Sequence, residues 1–318
     1  MIKDHYGRTF ETLRISLTDV CNLACQYCVE DDSTASDQQL SELRAAGQVT
    51  RIVRSVGAIN QLSPLKNVRL TGGEPMLFSG LSDLIRRLKG IGIPHVSMTT
   101  NAVFLGKKAE ELKAAGLDRV NISLDAVTRD SFAEITRKKN FNKVLEGIEA
   151  SLYFGLEPKI NAVIMKGVND HQVLPLFEFA KERNISIRYL EVMKMGHMAD
   201  QFESNFFSQE DILSRIQIKY DVYPVERQKA STANYWLTDD LYKFGIIANE
   251  SAPFCKDCDR LRLDHSGKIF GCLSNSEGVK LTSPDPSAGL REKLEFALGQ
   301  KQAIQFKGSE LIMKNIGG

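Results

Sequence analysis

Six alternating or apolar segments, most of them followed by a helical pattern, occupy about the first 190 residues and leave the chain few folds to adopt. Segment 12–17 (Thr-Leu-Arg-Ile-Ser-Leu) alternates and is β-rich, and 66–70, 94–99, 119–124, 158–164 and 186–192 read as further strands. Helical patterns fall near 38–61, 80–90, 106–115, 141–154 and 172–183, with Gly116 placed to cap the third. Parallel strands need long crossovers, usually helices, so this alternation predicts a parallel sheet. Polar and glycine-bearing signatures recur at strand C-termini, at 18–28, 72–75, 99–101, 123–125 and 193–196. Turn chemistry accounts for any one such loop. Their repetition at one end of the strands argues for a shared site, because the chemistry of a β/α barrel sits on that face.

From about residue 200 the pattern changes. A helix near 208–217 precedes strand-like segments near 219–224, 233–238 and 242–247, and a helix near 287–298 follows. The expected architecture is therefore α/β: a partial (βα)6 TIM-type barrel over 1–200 and an α+β extension over 201–318. Segment 259–263 alternates, so Arg260 and Arg262 share one side of a strand. Two guanidiniums there could clamp phosphate in bidentate fashion, or form the solvated face of a basic edge strand.

All six cysteines lie in two triads. Cys21, Cys25 and Cys28 follow the first strand as C-x3-C-x2-C; Cys255, Cys258 and Cys272 are spaced C-x2-C-x13-C. In a reducing compartment, clustered cysteines are used less for disulfides than for metals. Three thiolates can hold three irons of a [4Fe–4S] cubane, leaving one iron open to a substrate or cofactor. A zinc site would need a fourth ligand, which no local histidine supplies; three buried free thiols are the other reading.

The 41 basic and 40 acidic residues of the 318 give a formal charge of +1. That balance excludes a general polyanion binder, so no nucleic acid is expected as a partner. No run of about 18 apolar residues predicts a membrane span, and Met1-Ile2-Lys3-Asp4-His5 lacks the apolar stretch of a signal peptide. A cytoplasmic protein is expected.

The first triad resembles the radical S-adenosylmethionine (SAM) signature. Arg14-Ile15-Ser16-Leu17-Thr18-Asp19 before it, Arg69-Leu70-Thr71-Gly72-Gly73-Glu74-Pro75 after it, the Cys255 block with Arg260 and Arg262, and the terminal Gly317-Gly318 together resemble the MoaA family. These are the GTP 3',8-cyclases of molybdenum cofactor biosynthesis. The resemblance implies two [4Fe–4S] clusters, one on Cys21, Cys25 and Cys28 and one on Cys255, Cys258 and Cys272. It implies a SAM pocket lined by Tyr27, Gly73, Ser123 and Met193. Gly73 would let the methionine moiety approach closely, having no Cβ. It places Arg14, Arg69, Thr99, Lys159, Arg188, Arg260 and Arg262 around GTP, and Gly317 and Gly318 in the active site as an aid to catalysis. The implied reaction abstracts the C3' hydrogen of GTP with a SAM-derived radical and joins C3' to C8 of the base. It further implies a flavodoxin- or ferredoxin-type electron donor and a downstream cyclic pyranopterin monophosphate synthase; a homodimer is also compatible.

The chain departs from frequent family residues at Val20, Val29-Glu30, Asn67 and Asp259. Asp259 would add negative charge near a triphosphate. The rival functions are a radical SAM peptide maturase with an auxiliary-cluster domain, and a non-catalytic iron–sulfur or zinc module.

Overall fold

The computed structural model describes residues 2–31, 46–281, 287, 289–312 and 316. Its centre is one 12-stranded sheet in the order β12-β11-β10-β1-β2-β3-β4-β5-β6-β9-β8-β7. The strands β1 (Thr12–Ser16), β2 (Asn67–Thr71), β3 (His95–Thr100), β4 (Arg119–Ser123), β5 (Lys159–Ile164) and β6 (Ser186–Glu191) run parallel in chain order, as the alternation predicts. Helices Ala46–Leu62, Leu81–Gly90, Leu105–Ala114, Phe141–Tyr153 and Val173–Glu182 provide crossovers. The first expected helix is described only from Ala46; residues 38–45 lie outside the described ones. The helix Arg129–Thr136 was not expected. It is short and polar, and it is started by the Thr128 hydroxyl accepting from the Ser131 amide.

The C-terminal segment feeds both edges of the same sheet. β9 (Lys243–Ile247) adds in parallel to β6, followed by antiparallel β8 (Asn234–Thr238) and β7 (Val222–Val225). β10 (Arg260–Leu263) adds in parallel to β1, followed by antiparallel β11 (Lys268–Phe270) and β12 (Val279–Lys280), neither of which was expected. β10 is therefore flanked on both sides, and Arg260 and Arg262 are buried at 8% and 6% exposure. The solvated edge strand is excluded.

Strand periodicity sorts the two faces. Leu13, Val68, Val96, Val120, Ile160 and Ile187 are fully buried on the face turned to the helices, together with Ile15, Leu70, Met98, Ile122 and Tyr189. Pairing aligns Leu13 with Val68, Val68 with Val96, Met98 with Val120, Ile122 with Ile160 and Ile160 with Ile187, so this layer is continuous. The intervening positions carry Arg14, Arg69, Thr99, Asn121, Lys159, Asn161 and Arg188. A closed β/α barrel fills that interior with branched apolar side chains. Here it is polar and cationic, which makes it a place for a ligand. No helix among the described residues is long and apolar enough to cross a membrane.

Candidate active site

The first cysteine triad is seated by backbone. The Gly73 amide donates to the Thr18 carbonyl at 2.6 Å, and the Glu74 amide donates to the Val20 carbonyl at 2.8 Å. A Cβ on Gly73 would lie 2.2 Å from the Val20 oxygen, and one on Gly72 would lie 2.5 Å from the Thr18 oxygen. Gly73 is thus required by the approach of the cysteine loop, a reason the sequence does not display. Gly73 still lines the cavity beside the triad. From the other side, the Ala24 and Gln26 amides donate to the Thr136 and Ile135 carbonyls at the end of the unexpected helix. Arg137 then closes the loop. Its guanidinium donates to the carbonyls of Val29 (3.2 Å), Glu30 (3.0 Å) and Asp31 (2.9 Å), and more distantly to that of Ala24 (3.4 Å).

Two buried carboxylates support this loop without touching the sulfurs. Glu74 accepts from the Met76 amide, from the Thr100 hydroxyl at 2.7 Å and from the Asn101 amide at 2.8 Å. Asn101 is thereby held with its Nδ2 3.8 Å from the Cys21 sulfur and 2.9 Å from Asn22 Oδ1. Burial pushes Glu74 up to about 7. Asp125 accepts from the Tyr27 hydroxyl at 2.9 Å and the Val163 amide at 2.8 Å, and burial raises it to about 6. Tyr27 is thus a fixed wall. Sequence reading quoted Glu74, Asn101 and Asp125 at strand ends but gave them no role; Arg137 carried no signal, because its partners are backbone atoms distant in sequence.

A cavity of about 460 Å³ opens beside these groups. Cys21, Cys25 and Cys28 line it, and so do all four residues expected around SAM: Tyr27, Gly73, Ser123 and Met193. An adjoining cavity of about 140 Å³ is lined by Cys255, Cys258 and Cys272 and by Arg14, Arg69, Arg188, Arg260 and Arg262. Thr99, Asn161, Leu190, Met193 and Asn249 border both, so the two spaces meet over the middle of the barrel. Asn161 and Asn249 were not anticipated. Lys159 lines neither cavity; it stands at the start of β5, in register with Asn121 and Ser186, and burial beside Arg188 and Arg119 lowers it to about 8.

Among the described residues, five guanidiniums and no carboxylate line the second space. Burial, then Arg188 and Arg260, bring Arg69 down to about 9. Burial brings Arg262 down to about 10, against the opposing influence of Cys272 and Cys258. The Nε atoms of Arg14 and Arg188 and Oδ1 of Asn161 are buried without a hydrogen-bond partner. Buried guanidiniums in this state call for an anion with several oxygens. Asp259 does not line the cavity. Its carboxylate accepts from the Thr12 hydroxyl at 2.9 Å and pairs with Arg260 Nε at 3.3 Å, so it compensates one arginine from outside.

None of the six cysteines is in a disulfide, and all are half-buried. Among the described residues no three of His, Cys, Asp and Glu converge closely enough to ligate one metal ion. Three thiols lining one cavity suit a cubane, in which each sulfur meets a different iron. At the second triad burial opposes ionisation, but Lys301 and Arg260 bring the Cys258 thiol down to about 7, toward the thiolate a metal requires. The residues present fit two clusters, each with an open position.

Residues 15–180 match the family model described as the radical SAM superfamily, and residues 185–307 match the one described as Molybdenum Cofactor Synthesis C. The chain is 36% identical over 325 residues to a GTP 3',8-cyclase of Clostridium botulinum (strain Langeland), covering 99% of each chain. It is 37% identical over 282 residues to a GTP 3',8-cyclase of Helicobacter pylori (strain J99), covering 88% of this chain and 85% of that one. Among solved structures, Streptococcus suis SuiB bound to S-adenosylmethionine superposes with a TM-score of 0.63 at 16% identity, covering 92% of this chain and 68% of SuiB. That likeness concerns the fold. With both family models matched and a relative aligned along almost the whole length, the chain belongs to the radical SAM superfamily and, within it, to the GTP 3',8-cyclase family.

Proposed function

We propose that the chain converts GTP to (8S)-3',8-cyclo-7,8-dihydroguanosine 5'-triphosphate, using SAM and two [4Fe–4S] clusters. The observation that carries this reading is the chamber of Arg14, Arg69, Arg188, Arg260 and Arg262, set between two cysteine triads and continuous with the larger cavity. When bound, the clusters and SAM supply the one-electron chemistry that starts the reaction at a ribose carbon. Cys21, Cys25 and Cys28 would hold the first cluster, and Cys255, Cys258 and Cys272 the second. Tyr27, Gly73, Ser123 and Met193 would contact SAM in the 460 Å³ cavity. The arginines would grip the triphosphate, so that the nucleoside is drawn toward the shared border at Thr99, Asn161 and Met193. Lys159 keeps a place in this reading as a more distant cation below the phosphates. A peptide substrate would leave such a cationic chamber unbalanced, which disfavours a maturase.

The tail belongs to the same reading. Ser309 bridges to Met195, and Ile316, 1% exposed, packs with Met195, Phe270 and Phe306. Ile312 lines the larger cavity. Gly317 and Gly318 lie outside the described residues; this reading keeps them as an aid to catalysis. A flavodoxin- or ferredoxin-type electron donor, a cyclic pyranopterin monophosphate synthase acting on the product, a homodimer and a cytoplasmic location complete the proposal.

The test is anaerobic incubation of the reconstituted chain with SAM, GTP and a reductant, followed by mass spectrometry. A nucleotide isomeric with GTP, formed together with 5'-deoxyadenosine, is expected. Cleavage of SAM with GTP recovered unchanged would refute the substrate assignment.

A further inference from the structure

Lys301 follows the last helix, Leu290–Gly299, and turns inward to the second cysteine triad. It is only 6% exposed. Its ammonium donates to the Arg260 carbonyl at 2.7 Å, the Gly271 carbonyl at 3.2 Å and the Cys258 sulfur at 3.4 Å. Among the described residues it pairs with no carboxylate. A buried ammonium without a counter-charge is strongly disfavoured, and two neutral carbonyls do not provide one. The anionic partner within reach is the cysteine sulfur.

The fold is shaped to bring this group in. A Cβ on Gly271 would lie 1.8 Å from the Ala297 carbonyl oxygen and 3.3 Å from Lys301 Cγ. Only the missing side chain lets the helix close onto the strand end that carries Cys272. Lys301 therefore ties the helix to the strand of Arg260 and to the loop of Cys258 at once. On the other side of the triad the Arg8 guanidinium donates to the Cys255 carbonyl, not to a sulfur. The ammonium of Lys301 is thus a cation in hydrogen-bond reach of a second-triad ligand atom. None of the expectations drawn from the sequence included it.

We propose that Lys301 is a positioning residue of the second metal centre: its ammonium hydrogen-bonds the Cys258 ligand sulfur and raises the centre's reduction potential. This rests on the reading that Cys255, Cys258 and Cys272 hold a cluster. Hydrogen bonds to ligand sulfurs and local charge are among the levers that set such potentials. A donor carrying positive charge stabilises the more negative, reduced state.

The experiment uses the full chain reconstituted with both clusters, as wild type and as Lys301→Met, which keeps the length and removes the ammonium. A redox titration followed by electron paramagnetic resonance reads each cluster separately. At the wild-type midpoint of the second cluster, the reduced-to-oxidised ratio should fall about tenfold in Lys301→Met, a shift of 59 mV for a one-electron couple. The first cluster should not move. The wild type grown on 15N-lysine should also show a nitrogen coupling on the second cluster's signal. This decides the matter if Lys301→Met fails to retain that cluster. Equal potentials in the two chains, or no lysine coupling in the wild type, would overturn the proposal while leaving the cluster reading intact. A wild type holding iron for one cluster only would overturn the cluster reading and the proposal with it.

Discussion

Arg14 of β1 and Arg262 of β10 are direct partners in a parallel pairing, so two guanidiniums stand side by side on a buried face. Burial first, then Arg262, Arg69 and Arg260, push the Arg14 pKa well below the ordinary arginine value. The folded chain holds these charges at a cost to its own stability, as binding sites often do.

Replacing Arg262 with Ala should therefore separate two measurements. GTP affinity should fall about ten- to hundredfold, since a charged hydrogen bond is worth about 1.5–3 kcal/mol. The melting temperature of the nucleotide-free chain should change less than the affinity, because relief of the repulsion on Arg14 offsets part of the cost of truncating a buried side chain. Calorimetric titration and thermal unfolding of the same preparation check this. Unchanged GTP affinity would return the residue to a structural role.

Glu74 makes the cluster-free chain sensitive to pH in a definite direction. Its folded pKa of about 7 lies above the ordinary value of 4.5. Between those values the folded state binds more protons than the unfolded state, so stability falls as pH rises from about 4.5 to about 7. Asp125, raised from 3.8 to about 6, acts in the same direction over a lower window. Glu74→Gln should remove the upper part of this slope. Melting temperatures across that range, wild type against Glu74→Gln, test it; parallel curves would contradict the assignment.

Arg137 grips the loop that follows Cys28 through several backbone carbonyls. Arg137→Met should leave the fold intact, since its partners can turn to water at the surface. The first triad should then hold iron less firmly. Roughly half the iron should be lost to a mild chelator, on the assumption of two cubanes, while the second triad keeps its share. Iron retention at the wild-type level in Arg137→Met would show that the loop is held well enough by the Thr136 and Ile135 carbonyls.

The parts legible in the sequence were those in which chemistry demands a residue type at a set spacing. The cysteine triads, the Arg260–Arg262 alternation and the glycine-bearing strand ends are of this kind. Strand periodicity located β1 to β6 within a residue or two at most ends. Other features depend on contacts that sequence does not display. The segment at 259–263 also admits reading as an edge strand, and only its pairing with β1 and β11 makes it interior. The glycine at 73 reads as ligand space, but Val20, some fifty residues earlier, also needs the room. Asn161 is an ordinary strand residue until the register with Ser123 and Arg188 sets it between two cavities. Arg137 and Lys301 act on backbone and sulfur atoms far along the chain, and no local pattern marks either one.

The C-terminus provides the sharpest test of how the site is completed. A terminal diglycine is by default a frayed end. Here the residues before it are anchored. The Gly196 amide donates to the Ser309 carbonyl, and the Ser309 amide donates to the Lys194 carbonyl, each at 3.0 Å. Ile312 approaches Gly196 so closely that a Cβ there would lie 2.7 Å from its Cγ2. Ile316 is then buried against Met195, Phe270 and Phe306. Met195 borders the larger cavity and Phe306 the smaller one, so the anchor sits beside both. Glycines carry no side chain, so a diglycine can enter a passage that side chains would block. Deleting Gly317 and Gly318 should leave iron content and SAM binding at wild-type levels, because neither triad nor the SAM-side wall loses a residue. Formation of the cyclised nucleotide should collapse. Ile316→Asp should give the same loss by releasing the anchor, and a bulky C-terminal extension should impair turnover by obstruction. Product yield under anaerobic single-turnover conditions, set against the iron content of the same sample, makes the measurement. Wild-type yield from the chain lacking both glycines would show that the anchor serves packing alone.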